Sequence, residues 1–368
     1  MDNDTATAAA DITSRPFGVT SKGEQTTIWT VRSKSGLVME FADYGARLVR
    51  AYAPDRHGNL ADVALGWNTV GEYERYGFSM GTVIGRYGNR IADGRFTLDG
   101  VVYSLPVNEN GNGRHCNLHG GPDGWDKKVW KARPFAEGDV KGIAFSYVSA
   151  DGEMGFPGKV EATVTYRVTP DGVWRIDYEA TTDKPTVLNP TNHSYWNLAG
   201  EASGDVLGQE LQILADSYLK ASPGLIPTEA APVEGTGLDF REMRPIGEKA
   251  GLMEADASLA PTDHWYDHNY ILRGEAGTLR KAAEMRDPVS GRRLEVWTTE
   301  PGMQVYGAQH MTEALPAKTA GRTLRKCAGI ALETQHYPDS PNRPDFPSTV
   351  LRPGETFRST TEFRFSAV

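Results

Sequence analysis

The sequence predicts an all-β fold, a large single-domain antiparallel β-sandwich. Apolar and polar residues alternate at period two in segment after segment, the mark of half-buried strands. Turn formers are dense, with 40 Gly and 22 Pro spread over 368 residues. Helix-period segments do not alternate with the strand-like ones, which argues against a doubly wound sheet.

Taken in order, residues 1–15 are rich in Ala, Asp, Thr and Asn without apolar periodicity and read as a flexible tail, leaving 16–368 as the sandwich. Gly71 to Tyr76 suggests a short helical turn. Phe96 and Leu98 lead through Asp99-Gly100 into Val101, Tyr103 and Leu105, a tight hairpin. The glycines from Gly111 to Gly124 lack the Gly-Lys-Ser/Thr ending of a phosphate loop and read as a flexible loop carrying His119. Val160, Ala162, Val164, Tyr166 and Val168 alternate with polar residues, then Pro170, Asp171 and Gly172 turn the chain into Trp174, Ile176, Tyr178 and Ala180. Leu279 to Arg286 has a helix-friendly composition but is too short for its period to decide, and Phe357, Phe363 and Phe365 mark a last strand.

A net charge of −9 and the absence of a Lys/Arg-rich run exclude a field suited to phosphate backbones, so nucleic acid is not an expected partner. No apolar run approaches the roughly 18–20 residues that cross a bilayer, so no membrane partner is expected. The amino terminus shows no basic segment followed by an apolar one, which makes cytoplasmic the default location. Two cysteines, Cys116 and Cys327, are too few for a disulfide framework and are expected as thiols.

Polar residues that alternation does not explain gather in Gly85-Arg86-Tyr87-Gly88-Asn89-Arg90-Ile91, in Asn117-Leu118-His119-Gly120-Gly121, in the string Asn189 to Leu198 around His193, and in Leu332 to Asn342 around Glu333. Asp267-His268-Asn269-Tyr270 and Glu300-Pro301-Gly302-Met303-Gln304 lie between the last two. Read singly, each has an ordinary explanation. His193 would be a hydrogen-bonded structural histidine, Asp267 a turn residue, Arg86 and Arg90 solvated strand-edge charges, and Glu333 an acid paired with an arginine at the end of a buried strand.

In content, order and approximate spacing, the motifs together resemble the aldose 1-epimerase (galactose mutarotase) family from about Phe17 to Phe365. The resemblance implies a sandwich of the galactose-mutarotase type with an open sugar cleft, and it implies roles by matched position. Glu333 matches the general base, His193 the general acid, and His119 a second histidine near the ring oxygen; Asn89, Arg90, Asp267 and Gln304 match sugar-binding residues. His336 matches no acid or base. The implied reaction interconverts the α and β anomers of a free glucose- or galactose-type aldose without cofactor or metal. The implied partner is the monosaccharide, bound by a monomer or homodimer.

The residue types suit that chemistry. A base removes the anomeric hydroxyl proton while an acid protonates the ring oxygen, and positioned groups of this kind contribute about 10²- to 10⁴-fold each. Tyr195, Trp196 and Tyr306 are candidate surfaces for the sugar's C–H face. His115-Cys116 with His119 only superficially resembles a metal cluster, because no second Cys/His cluster completes it. The competing readings are a glycoside hydrolase using Asp267 and Glu333, a non-catalytic carbohydrate-binding module, and an epimerase of hexose 6-phosphates, which would require an arginine cluster.

Overall fold

A computed structural model describes residues 11–368. Its two main sheets carry the sandwich. The nine-stranded sheet runs in the order Lys131–Glu137, Val140–Ser149, Val160–Val168, Val173–Thr182, Phe357–Ala367, Arg292–Thr298, Arg280–Arg286, Glu210–Ile213, Arg244–Pro245. The six-stranded sheet runs Tyr195–Trp196, Ile330–Gln335, Gly302–Tyr306, Asp267–Leu272, Ala215–Ala221, Pro227–Pro232. Neighbouring strands in both sheets pair antiparallel.

Alternation decides what lies between the sheets. Tyr166, Ile176, Val296 and Phe363 from the first sheet and Trp196, Tyr270, Met303, Val305 and Leu332 from the second share one apolar core. A five-stranded sheet from Ile12–Val19 to Leu60–Asp62 adds Val31, Met39, Phe41 and Leu48 to it. The register pairs Tyr166 with Ile176, and Ile176 with Thr361, so the expected hairpin around Pro170 to Gly172 and the expected last strand are both present.

The hairpin at Asp99-Gly100 joins Arg95–Leu98 to Val101–Ser104. The helical turn forms as Val70–Tyr76, started by a capping box in which Thr69 Oγ1 accepts from Glu72 N and the Glu72 carboxylate accepts from Thr69 N at 2.9 Å. No described helix is long and apolar enough to cross a membrane. Cys116 and Cys327 are buried free thiols.

Three expectations need correction. The composition extends the tail to Arg15, but the first strand already begins at Ile12, where Ile12 to Arg15 pair with Val31 to Ile28; positions 1–10 fall outside the described residues. The helix-friendly stretch Leu279 to Arg286 is the strand Arg280–Arg286, because Ala282, Ala283 and Met285 are buried while Lys281, Glu284 and Arg286 form ion pairs among themselves and with Arg293 and Glu295 of the next strand. The glycine-rich loop before His119 is largely ordered as a hairpin of Glu109–Gly111 and Arg114–Leu118. It turns at Asn112-Gly113, both left-handed with φ of 52° and 79°.

Candidate active site

The core face of the six-stranded sheet is apolar, and the opposite face is polar. Because directly paired residues share a face, Asn269, Gln304 and Glu333 form one row across three strands, and Asp267, Tyr306, Ala331 and Tyr195 form the next. Glu333 therefore sits within the strand Ile330–Gln335, with Leu332 and Thr334 turned the other way.

Two loops close over this face. Asn89 precedes the strand Arg90–Ala92 and His119 follows Arg114–Leu118, and these strands pair with each other. Asn89 and His119 both adopt left-handed backbone, at φ of 62° and 56°, a conformation that costs about 1–3 kcal/mol outside glycine. Reciprocal hydrogen bonds hold it: His119 N donates to Asn89 O at 3.0 Å, and Asn89 N donates to His119 Nδ1 at 3.1 Å. Gly120, at φ 82°, lies so close to the Gly85 carbonyl that a Cβ would collide with it.

The Asn89 bond also fixes chemistry. A ring nitrogen that accepts an N–H carries no proton, so neutral His119 bears its proton on Nε2 and is a donor there.

The result is a cleft of about 280 Å³, close to the small end of ligand pockets (~300–1,000 Å³), lined by Asn89, Arg90, His119, His193, Asp267 and Glu333, with Tyr195 and Tyr306. Six of the seven predicted residues thus meet in its wall. Gln304 does not: it is buried behind the wall, where Nε2 donates to Asp267 Oδ1 at 2.7 Å. Trp196 is also misassigned as a sugar surface. It alternates away from Tyr195 into the core and packs on Trp174, Phe363 and Phe365.

At the centre, His193 Nε2 lies 3.4 Å from Glu333 Oε1, with both side chains nearly fully buried. Burial, helped by Asp267 and opposed by Arg90, pushes Glu333 well above the usual carboxylate range. Burial holds the His193 imidazolium down to about 4, and burial together with His193 and Arg90 holds His119 well below its usual value. Among the described residues, Glu333 Oε2, His193 Nδ1 and Gln304 Oε1 have no hydrogen-bond partner. Such buried orphans cost about 1–3 kcal/mol each, so a polar ligand that reaches Glu333 in the cleft wall and bonds to its free oxygen gains correspondingly.

His119, His193 and Glu333 present ligand-type atoms within 4.8 Å of one another, the spacing of a three-ligand metal site. The His119 tautomer disfavours a cation. Nδ1 already accepts from Asn89, and coordination at Nε2 would drive the proton to Nδ1, against the Asn89 N–H.

A family model for aldose 1-epimerases matches residues 27–364. The chain belongs to the aldose 1-epimerase family. Family membership makes it an isomerase acting on carbohydrates. It is 39% identical over 331 residues to a rat galactose mutarotase, spanning 90% of this chain and 91% of that protein. It is 37% identical over 355 residues to an Escherichia coli aldose 1-epimerase, spanning 94% and 96%. Among solved structures, the GalM/aldose epimerase homologue from C. elegans superposes with a TM-score of 0.81 at 28% identity, covering 92% of this chain and 98% of that one. A galactose 1-epimerase from Lactobacillus acidophilus gives 0.82 at 24% identity, covering 97% and 98%, and shares the fold.

Within this family member, the cleft also contains residues that sequence reasoning missed: Phe78, Ser79, Glu109, Arg114, Leu118 and His310. For the hairpin residues Glu109 and Arg114, the Asn112-Gly113 dipeptide was the available signal, since it predicts a tight hairpin that brings its two strands together. His336 lies outside the cleft wall, bonded to Glu300 at 2.6 Å. Arg86 is no solvated charge, being buried on Ser149, Ala150 and Pro157. Arg90 and Arg114 share the carboxylate of Glu109, so the arginine cluster that a sugar phosphate requires is already neutralised in part.

Proposed function

We propose that this protein interconverts the α and β anomers of free glucose- or galactose-type aldoses, with Glu333 as base and His193 as acid. The Glu333 carboxylate takes the proton of the anomeric hydroxyl. The O–H electron pair becomes the carbonyl π bond, the C1–O5 bond breaks with its pair going to O5, and His193 delivers a proton there. Rotation about C1–C2 exposes the other carbonyl face, and the two groups reverse their roles in closure.

The observation that carries this reading is the buried carboxyl–imidazole pair at 3.4 Å in the wall of a monosaccharide-sized cleft. Burial makes Glu333 a stronger base and His193 a stronger acid than either is in water, which sharpens both steps. The same burial favours the uncharged arrangement of the pair, while attraction between the two ions favours the charged one. Ring opening starts from the Glu333 carboxylate with the His193 imidazolium and leaves the carboxyl with the neutral imidazole, so the pair holds one proton in total throughout and closure restores the starting form.

His119 acts as a neutral Nε2–H donor near the ring oxygen, its tautomer fixed by Asn89. Arg90, Asn89 and Asp267 bind sugar hydroxyls, with Gln304 orienting Asp267 from behind. Tyr195 and Tyr306, whose rings meet at 77°, cover the C–H face. A cytoplasmic location goes with a free-hexose substrate.

Polarimetry tests the proposal. Freshly dissolved α-D-glucose and α-D-galactose should relax faster with the protein, to an unchanged final rotation, and Glu333→Gln and His193→Asn should lose the acceleration while remaining folded. An unaccelerated relaxation with both sugars and with pentoses would sink it.

A further inference from the structure

The cleft wall carries an ion cluster of which the proposed function uses only Arg90. Glu109 stands opposite Cys116 in the hairpin, whose second strand pairs with Arg90–Ala92. Glu109 Oε2 accepts from Arg90 Nε at 2.6 Å and from the Cys116 thiol at 3.3 Å. Its Oε1 accepts from Arg90 Nη2 at 3.1 Å and from Arg114 Nη1 at 2.9 Å. Arg90 is thus gripped by a bidentate fork along one edge. Its Nη1 makes no hydrogen bond among the described residues and remains available to a ligand.

A fork of this kind fixes the plane of the guanidinium as well as its position. Glu109 is only partly exposed, at 16% of its side chain, and Arg90 at 8%, so solvent screens the pair weakly. Glu109 belongs to no motif of the resemblance, and the hairpin that presents it was not predicted. We propose that Glu109 is a positioning residue that clamps Arg90 in the orientation that meets the sugar and offsets the charge of Arg90 and Arg114 at the catalytic pair.

The second part rests on the acid–base reading of Glu333 and His193. The groups facing Glu109 are Arg90, Arg114 and the Cys116 thiol, which burial raises to about 12 and keeps neutral. Those facing Glu333 are His193, His119, Asp267, Arg90 and the phenol of Tyr195, with the His119 ring and the phenol neutral in the working range. Removing the negative charge of Glu109 leaves Arg90 and Arg114 less opposed. Their field then favours the Glu333 carboxylate, and the acidic limb of the pH–rate profile moves to lower pH.

The test compares wild type with Glu109→Gln, Arg114→Gln and Glu333→Gln in the full chain. Glu109→Gln should raise the KM for galactose roughly 10-fold and change kcat much less, from the loss of a charge-assisted fork. The same variant should displace the acidic limb downward by roughly 0.5 pH unit or more. Arg114→Gln should move the limb upward, and it decides the charge effect if Glu109→Gln does not fold. A limb unmoved in these variants, or a Glu109→Gln protein that melts earlier yet keeps its KM, overturns the proposal. Calorimetric titration with galactose separates it from the reading on which it rests. Glu333→Gln should bind and not turn over, whereas Glu109→Gln should bind about tenfold more weakly whether or not turnover is measured.

Discussion

Glu333→Gln should make the protein more stable at neutral and alkaline pH while removing its catalysis. The carboxyl is 2% exposed and its Oε2 has no hydrogen-bond partner among the described residues. Folding therefore raises its pKa above the unfolded value of about 4.5. Once pH exceeds that value, the unfolded chain has released a proton that the folded chain retains. Stability is fully present below about pH 4.5 and declines as pH rises through the folded value. Glutamine keeps the shape and carries no charge, so the decline disappears.

The gain is bounded by the desolvation penalty of a buried unsatisfied polar group, about 1–3 kcal/mol. At ~2.1 cal/mol/K of unfolding entropy per residue, a chain of 368 residues moves its melting temperature by about 1–4 °C for that change. Turnover should fall about 10²- to 10⁴-fold, the usual contribution of a positioned base. Calorimetric melts of both proteins at pH 5 and pH 8, beside polarimetric rates, provide the check. A stability difference that fails to widen with pH, or a variant that keeps its rate, would refute the reasoning.

Three other outcomes follow from the same structure. Burial lowers His193 and His268 each to about 4 in the fold against 6.5 when exposed, so the unfolded chain binds more protons between those values and stability falls as pH drops from 6.5 towards 4. His268→Gln should flatten part of that slope in melts taken between pH 7 and pH 4.5, and an unchanged slope contradicts the assignment. Trp196→Ala should lower stability by about 3–5 kcal/mol in denaturant titrations and leave the KM of the folded fraction alone, whereas Tyr306→Leu should raise KM with a small stability effect; the reverse pattern would return Trp196 to the sugar surface. Gln304→Ala releases the Asp267 carboxylate and should raise KM several-fold through one lost hydrogen bond to a charged group, and an unchanged KM would assign Gln304 to the scaffold alone.

Much of the architecture was legible because alternation reports burial directly. Val160–Val168 and Val173–Thr182 each place one face in the core, and the turn between them is written in Pro170, Asp171 and Gly172. Leu279 to Arg286 misled for a physical reason. Ala, Lys, Glu, Met and Arg favour helices in isolation, but the charges of this segment are satisfied across the strand pair by Arg293 and Glu295, which propensity does not register. Trp196 was misplaced because period two says that Tyr195 and Trp196 face opposite ways without saying which way is the cleft. The bulk of the motif-derived site was readable because its residues lie in short strings. Glu109 and Arg114 were not, since their function depends on a hairpin folding back onto Arg90.

The most direct test of the central claim is proton NMR exchange spectroscopy on equilibrated galactose in D₂O. The expected result is protein-dependent exchange between the α and β H1 signals, absent with Glu333→Gln, and no deuterium entering C2, because ring opening breaks only the C1–O5 bond and moves only hydroxyl protons. Absence of protein-dependent anomer exchange, or deuterium appearing at C2, would contradict it.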